Sequence, residues 1–136
     1  MTLVDTSVWI EFLRGSDGRA TAFVRDRIGG EELSTCDPVM MELLAGARPG
    51  PATARLERLL LSQSWLQLEP TLDYRAAVDV FHVTRATGRQ PRSLQDCLIA
   101  AVALRHDLPV AHRDADYAHI AAAVGLRTID LREGAA

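Results

Sequence analysis

The chain has 136 residues, 48% hydrophobic and 24% charged, which predicts one soluble globular domain spanning 1–136 with a full core. Its net charge of −3 excludes nucleic-acid binding through bulk positive charge, and all fifteen basic residues are arginine, which excludes chemistry built on a lysine. No apolar run approaches the roughly 18 residues needed to cross a bilayer, and the first residues lack a basic stretch leading into a long apolar one, so the expected location is cytoplasmic with no membrane contact.

The first predicted element is a strand at 2–5 (TLVD), which ends on Asp5 and turns directly into a helix at 7–13. Alone, Asp5 reads as a helix cap worth about 1 kcal/mol; joined by other acids, it reads as part of a charged site. A helix at 17–29 and a strand at 32–36 (ELSTC) follow. Asp37 before Pro38 has the pattern of an N-cap with proline at the first helical position, which keeps Asp37 out of any site. The helix at 38–48 carries Glu42 inside VMMELLAGA. Ala45 and Gly46 share its face and would let a ligand approach the carboxylate; the competing reading is a partly exposed acid on an amphipathic helix. A helix at 51–63, a strand at 66–69 (LQLE) and a helix at 71–88 come next.

The segment RATGRQPRS, 85–93, carries Arg85, Arg89 and Arg92 without an acid, and is either a solvated loop or a guide for phosphate. It leads into a helix at 94–106 whose CLIAAVAL run is apolar all round and therefore buried. Ser93 and Asp96 at its start have capping-box spacing, so Asp96 serves as a cap, a ligand or both. After a strand at 108–112 (LPVAH), Asp114 and Asp116 precede a helix at 115–124. Only one can cap it, which leaves the other carboxylate without a helical role. A strand at 126–130 (LRTID) ends the pattern. Cys36 and Cys97 have neither zinc-site spacing nor a disulfide framework around them and read as small core residues. His82, His106 and His119 fall on helices and read as surface or ordinary core.

Strands alternating with helices imply right-handed crossovers and a three-layer α/β/α sandwich on a mostly parallel, five-stranded sheet, which binds ligands beyond the carboxyl ends of its strands. Asp5, Glu42, Asp96 and Asp114 are all compatible with that one edge. Like charges about 4 Å apart repel by ~4 kcal/mol at an effective dielectric of 20, so the cluster needs protons or a cation. Hard oxygen donors without cysteine or paired histidines select Mg²⁺, with Mn²⁺ as the substitute, and a divalent ion on carboxylates facing phosphate is suited to phosphodiester hydrolysis.

With LVDTSVWIEFLRG, PVMMELLAGAR, RSLQDCLIAAVALRHDLPVAHRDADYAHIA and LRTI in this order, the chain resembles PIN-domain ribonucleases, and among them the VapC toxins of type II toxin-antitoxin systems, over almost its whole length. The resemblance implies a Mg²⁺-dependent endoribonuclease in which Asp5, Glu42, Asp96 and Asp114 are the catalytic, metal-holding acids and Asp116 is a fifth contributor. Thr6 and Ser7 would add hydroxyl or backbone donors, and Arg85, Arg89 and Arg92 would bind the RNA substrate. Arg14 and Arg113, next to the site in sequence, are further candidates of that kind. It also implies silencing by a cognate VapB-type antitoxin, and a homodimer. Trp9, Phe12, Leu13, Phe23, Val24 and Ile28, within 8–28, are either the antitoxin's docking surface or core. His112 stands where the family often has a hydroxyl, which leaves its role open, and Tyr117 replaces a frequent phenylalanine and is expected to pack as that residue would. The alternatives are a receiver-like Mg²⁺-binding regulatory module, which the absence of lysine opposes, and a catalytically silent PIN-like module, which the intact acid set opposes.

Overall fold

In the computed structural model, which describes residues 1–135, the chain begins with β1 (Thr2–Val4), α1 (Thr6–Arg14), α2 (Arg19–Arg25), β2 (Leu33–Thr35), α3 (Asp37–Ala45) and α4 (Pro51–Leu61). It continues through β3 (Ser64–Trp65), α5 (Pro70–Ala86), α6 (Leu94–Arg105), β4 (Val110–His112), α7 (Ala115–Val124) and β5 (Thr128–Asp130). The strands form one sheet of order β3-β2-β1-β4-β5, and every pairing in it is parallel. This order differs from the 2-1-3-4-5 order of receiver-type sheets and removes the receiver-like reading.

The chain lays β2 and β3 on one side of β1, then crosses to lay β4 and β5 on the other. Right-handed crossovers then put the helices before and after the switch on opposite faces. Packing within each face follows that division, α1 on α2 and α3, α3 on α4, and α5 on α6 and α7, while α3 also touches α6. The switch lies between β1 and β4, whose carboxyl ends open on the same edge, the place where such sheets hold ligands.

β1, β2 and β4 are buried along their whole length, and Leu3, Val4, Leu33 and Val110 are fully enclosed between the helical layers. In α6 every residue from Asp96 to Ala103 is buried, as its all-round apolarity predicts. Burial pushes the Cys36 thiol up to about 12 and the Cys97 thiol up to about 11, so both behave as inert core residues. No helix among the described residues is long and apolar enough to cross a membrane.

Four local expectations change. The third strand is Ser64–Trp65, not 66–69, because β3 is an edge strand paired only to β2, and β2 turns into α3 at Cys36. Beyond Leu66, whose N–H reaches Thr35 O at 2.8 Å, the alternating LQLE run has no neighbouring strand to continue the ladder. Helix α2 covers Arg19–Arg25 instead of 17–29, giving way to turns that pass through Gly29 at φ 91°. The cap of α3 is Cys36, so Asp37 and Pro38 fill its first two positions. Finally, Trp9, Phe23 and Val24 are buried and Phe12 and Ile28 half-buried against the core, which leaves Leu13 as the exposed member of the expected docking set.

Candidate active site

Asp5 leaves the end of β1 and caps α1. Its Oδ2 accepts the Ser7 N–H at 3.0 Å and the Ser7 hydroxyl at 2.5 Å, and its Oδ1 accepts the Tyr117 hydroxyl at 2.8 Å. Ser7 Oγ in turn accepts the Arg113 backbone N–H at 3.0 Å. One hydroxyl therefore ties the end of β1 to the turn that follows β4, its neighbour in the sheet. From α3, the exposed Glu42 is drawn to the start of α1 by Thr6, whose Oγ1 donates to Glu42 Oε1 at 3.0 Å.

Asp96 lies in the first turn of α6, where its N–H donates to Ser93 Oγ at 3.3 Å. Ser93 is thus the cap, and the return half of a capping box does not form: among the described residues, no donor reaches the Asp96 carboxylate. That side chain is 9% exposed. Burial, followed by the charges of Asp5, Asp114, Glu42 and Asp116, pushes its pKa up to about 8. A buried carboxylate facing four others with no donor of its own is costly to ionise, and capping does not account for it.

Of the two acids ahead of α7, Asp114 is the cap, with Oδ1 accepting the Asp116 N–H at 2.9 Å. Asp116 is buried, and its Oδ2 accepts the Arg92 backbone N–H at 2.9 Å. Asp96, Asp114 and Asp116 each bring one oxygen to within 4.8 Å of the others, a spacing that lets one cation touch all three. Asp5 and Glu42 lie outside this tightest trio but close enough to raise the Asp96 pKa. An all-oxygen set with an undonated buried member fits a hard divalent cation.

The arginines divide. Arg92 Nη2 donates to Asp114 Oδ1 at 3.0 Å and its Nε lies 3.4 Å from Asp116 Oδ1. Arg113 pairs with Glu11 at 3.0 Å, as does Arg14 at 3.3 Å. Arg85 and Arg89 are exposed and form no ion pair among the described residues.

His112 and Tyr117 acquire roles that residue spacing alone does not reveal. His112 is fully buried, its ring 5.1 Å from that of Tyr117, and its Nδ1 accepts the Asp114 N–H at 3.2 Å. Burial holds its pKa below the usual histidine value, so the ring is neutral at pH 7, with its proton on Nε2 because Nδ1 accepts. It sets the backbone of the turn that presents Asp114. Tyr117 packs as a phenylalanine would and also directs Asp5, with burial and then the nearby Asp5 charge holding its hydroxyl in the protonated, donating form. The signal for this in the sequence is a phenol where a bare ring suffices for packing.

Comparison with known proteins gives the family. The PIN domain matches residues 2–123. Ribonuclease VapC11 of Mycobacterium tuberculosis and VapC ribonuclease Mb1587 of Mycobacterium bovis are each 37% identical over 134 residues, covering 97% of this chain and all of theirs. The crystal structure of DNA-bound VapBC from Salmonella typhimurium shares the fold, with a TM-score of 0.73 at 19% identity over 96% of this chain and 98% of that one. A β3-β2-β1-β4-β5 sheet with acids at its switch point, a PIN match over most of the length and full-length 37% identity place this chain in the PIN-domain family, among the VapC ribonucleases.

Proposed function

We propose that the protein is a Mg²⁺-dependent endoribonuclease, the toxin of a cytoplasmic type II toxin-antitoxin pair, formed by residues 1–136 as one domain, with Mn²⁺ able to replace Mg²⁺. The observation that carries this reading is Asp96: a carboxylate buried beside four others without a hydrogen-bond donor keeps its proton near neutral pH unless a cation offsets the cost of ionising it. Asp96, Asp114 and Asp116 would hold the ion together with Asp5 and Glu42, the other acids of the wall. A bound divalent ion supplies Lewis acidity to a phosphoryl oxygen, to the attacking water and to the departing oxygen.

The protein's own contribution is to hold the acids in place. Ser7 and Tyr117 fix both oxygens of Asp5. Thr6 holds Glu42, and Ser93 starts α6 so that Asp96 points to the cluster instead of capping. Thr6 and Ser7 reach substrate through these acids. Arg85, Arg89 and Arg92 lie on the approach to α6 and supply phosphate contacts that the overall charge of −3 does not.

A VapB-type antitoxin and a second copy of the chain are the proposed partners. The surface offered to the antitoxin is a groove of about 320 Å³ between α1, α3 and α4, lined by Ile10, Leu13, Leu43 and Leu56 with Arg14 and Glu42 beside them. An occupant of this groove would lie over Glu42.

Purified protein is expected to cut RNA internally with Mg²⁺ or Mn²⁺, to lose all cleavage in EDTA, and to recover it when the ion is restored. Cleavage that persists in EDTA would refute the metal reading. Tyr117→Phe, which frees Asp5 Oδ1 without changing the packed ring, is expected to weaken Mn²⁺ binding by about 10- to 100-fold, the usual scale for loss of a group that orients a metal ligand. Isothermal titration checks this, and wild-type affinity in the variant would show that Tyr117 only packs.

A further inference from the structure

Five carboxylates meet at the switch point, and among the described residues Arg92 is the one cationic side chain paired with any of them. Its two attachments differ in kind. The backbone N–H holds Asp116 Oδ2 at 2.9 Å, next to the buried Pro91, and is part of the fold. The guanidinium lies across the outer side of the cluster, on Asp114 Oδ1 and Asp116 Oδ1, with 74% of the side chain exposed.

That arrangement is a cation held where a cation is needed, on a stem that is free to leave. Two of the three acids whose oxygens lie within 4.8 Å of one another are the two that Arg92 contacts. The third, Asp96, is buried and has no hydrogen bond or ion pair to the guanidinium. Arg92 therefore compensates part of the cluster and leaves its buried corner uncompensated. Asp114 Oδ1 already accepts the Asp116 N–H that caps α7, so the guanidinium is its second donor. Release of the side chain leaves the cap, the Asp116 contact to the Arg92 backbone and the core unchanged.

We propose that Arg92 is an internal counter-ion of the metal site: its guanidinium closes the Asp114 and Asp116 side of the cluster in the metal-free protein, is displaced outward when the divalent ion enters, and then presents its fork to an RNA phosphate. The proposal rests on the metal-site reading above. It gives one arginine two successive partners of the same chemistry, carboxylate oxygens first and phosphate oxygens second, both matched to a planar fork. It also makes metal loading and substrate capture consecutive: the arginine is available to phosphate only once the ion is in place.

The test follows the Arg92 Nε–Hε resonance by NMR as Mg²⁺ is added to the wild-type protein, with Arg92→Gln identifying the peak. The expected result is movement of that resonance towards the position of a free arginine, on the same curve as the amides of Asp96 and Asp114. Amides that respond while the Arg92 Nε–Hε resonance stays fixed would overturn the proposal and leave the metal site intact. No response anywhere would remove the metal site and the proposal together. In parallel, Arg92→Gln is expected to bind Mn²⁺ about fivefold more tightly at low ionic strength, the scale of one exposed ion pair, while its KM for RNA rises. Equal or weaker Mn²⁺ binding by this variant would also overturn it.

Discussion

Asp96→Asn is expected to lower RNA cleavage by at least about 1000-fold, since on the proposed site it removes a charged ligand from the ion that supplies the chemistry. The same substitution is expected to make the metal-free protein more stable. In the wild type, burial and the surrounding carboxylates raise the Asp96 pKa from 3.8 to about 8. Between these values the unfolded chain has released this proton and the folded chain still holds it, so metal-free stability falls as pH rises through the window. Asparagine has no proton to lose and escapes the penalty, which amounts to several kcal/mol at pH 8 and has largely gone near pH 4. Thermal melts in EDTA at both pH values, with cleavage assays in Mg²⁺, check the two halves separately. A variant that cuts RNA at the wild-type rate would overturn the site. One that melts lower than wild type at pH 8 would show that the Asp96 carboxylate holds the helix after all.

The second large effect lies away from the site. Asp73 is 1% exposed and receives Arg105 Nε at 2.7 Å and Nη2 at 2.9 Å, while Nη2 also donates to Gln67 O at 2.7 Å. The pair joins the first turn of α5 to the last turn of α6 and fixes the extended segment after β3. Arg105→Ala would leave a buried carboxylate uncompensated, and is expected to destabilise the protein by about 3 kcal/mol at pH 7, measured by urea unfolding. Hydrogen bonding from Arg105 holds the Asp73 pKa below the usual carboxylate value. Its contribution is therefore complete above that usual value and is lost as pH falls through the lowered one, so the gap between variant and wild type should narrow in acid. An unchanged midpoint at pH 7 would mean that solvent replaces the guanidinium without cost.

What could be read from residue types alone follows a physical division. Asp5 and Asp114 are legible because an apolar run followed by a helix forces its last acid to the sheet's ligand edge, and the actual strands end one and two residues before them. The helix at 115–124 is also legible, because its cap, Asp114, and the glycine beyond its end, Gly125, lie next to it in the chain. β3 is not, since a two-residue edge strand is defined by its partner's length and not by its own pattern. The choice between capping and ligation at Asp96 is equally hidden, because it turns on whether Ser93 takes the whole task. Contacts such as Tyr117 to Asp5 or Arg92 to Asp114 join residues 112 and 22 positions apart, and no local period encodes them.

The sheet order also has a consequence for synthesis on the ribosome. β1 is made first, yet its partner β4 is made after residue 109, and until then one edge of the central strand is unpaired. Asp5 and Glu42 exist long before Asp114 and Asp116 join them. A growing chain therefore carries an incomplete acidic cluster until the start of α7 is made, and a chain cut short ahead of Asp114 lacks both acids and the tyrosine that orients Asp5. On the metal site proposed above, the order in which the strands assemble makes the acids that complete it the last to arrive.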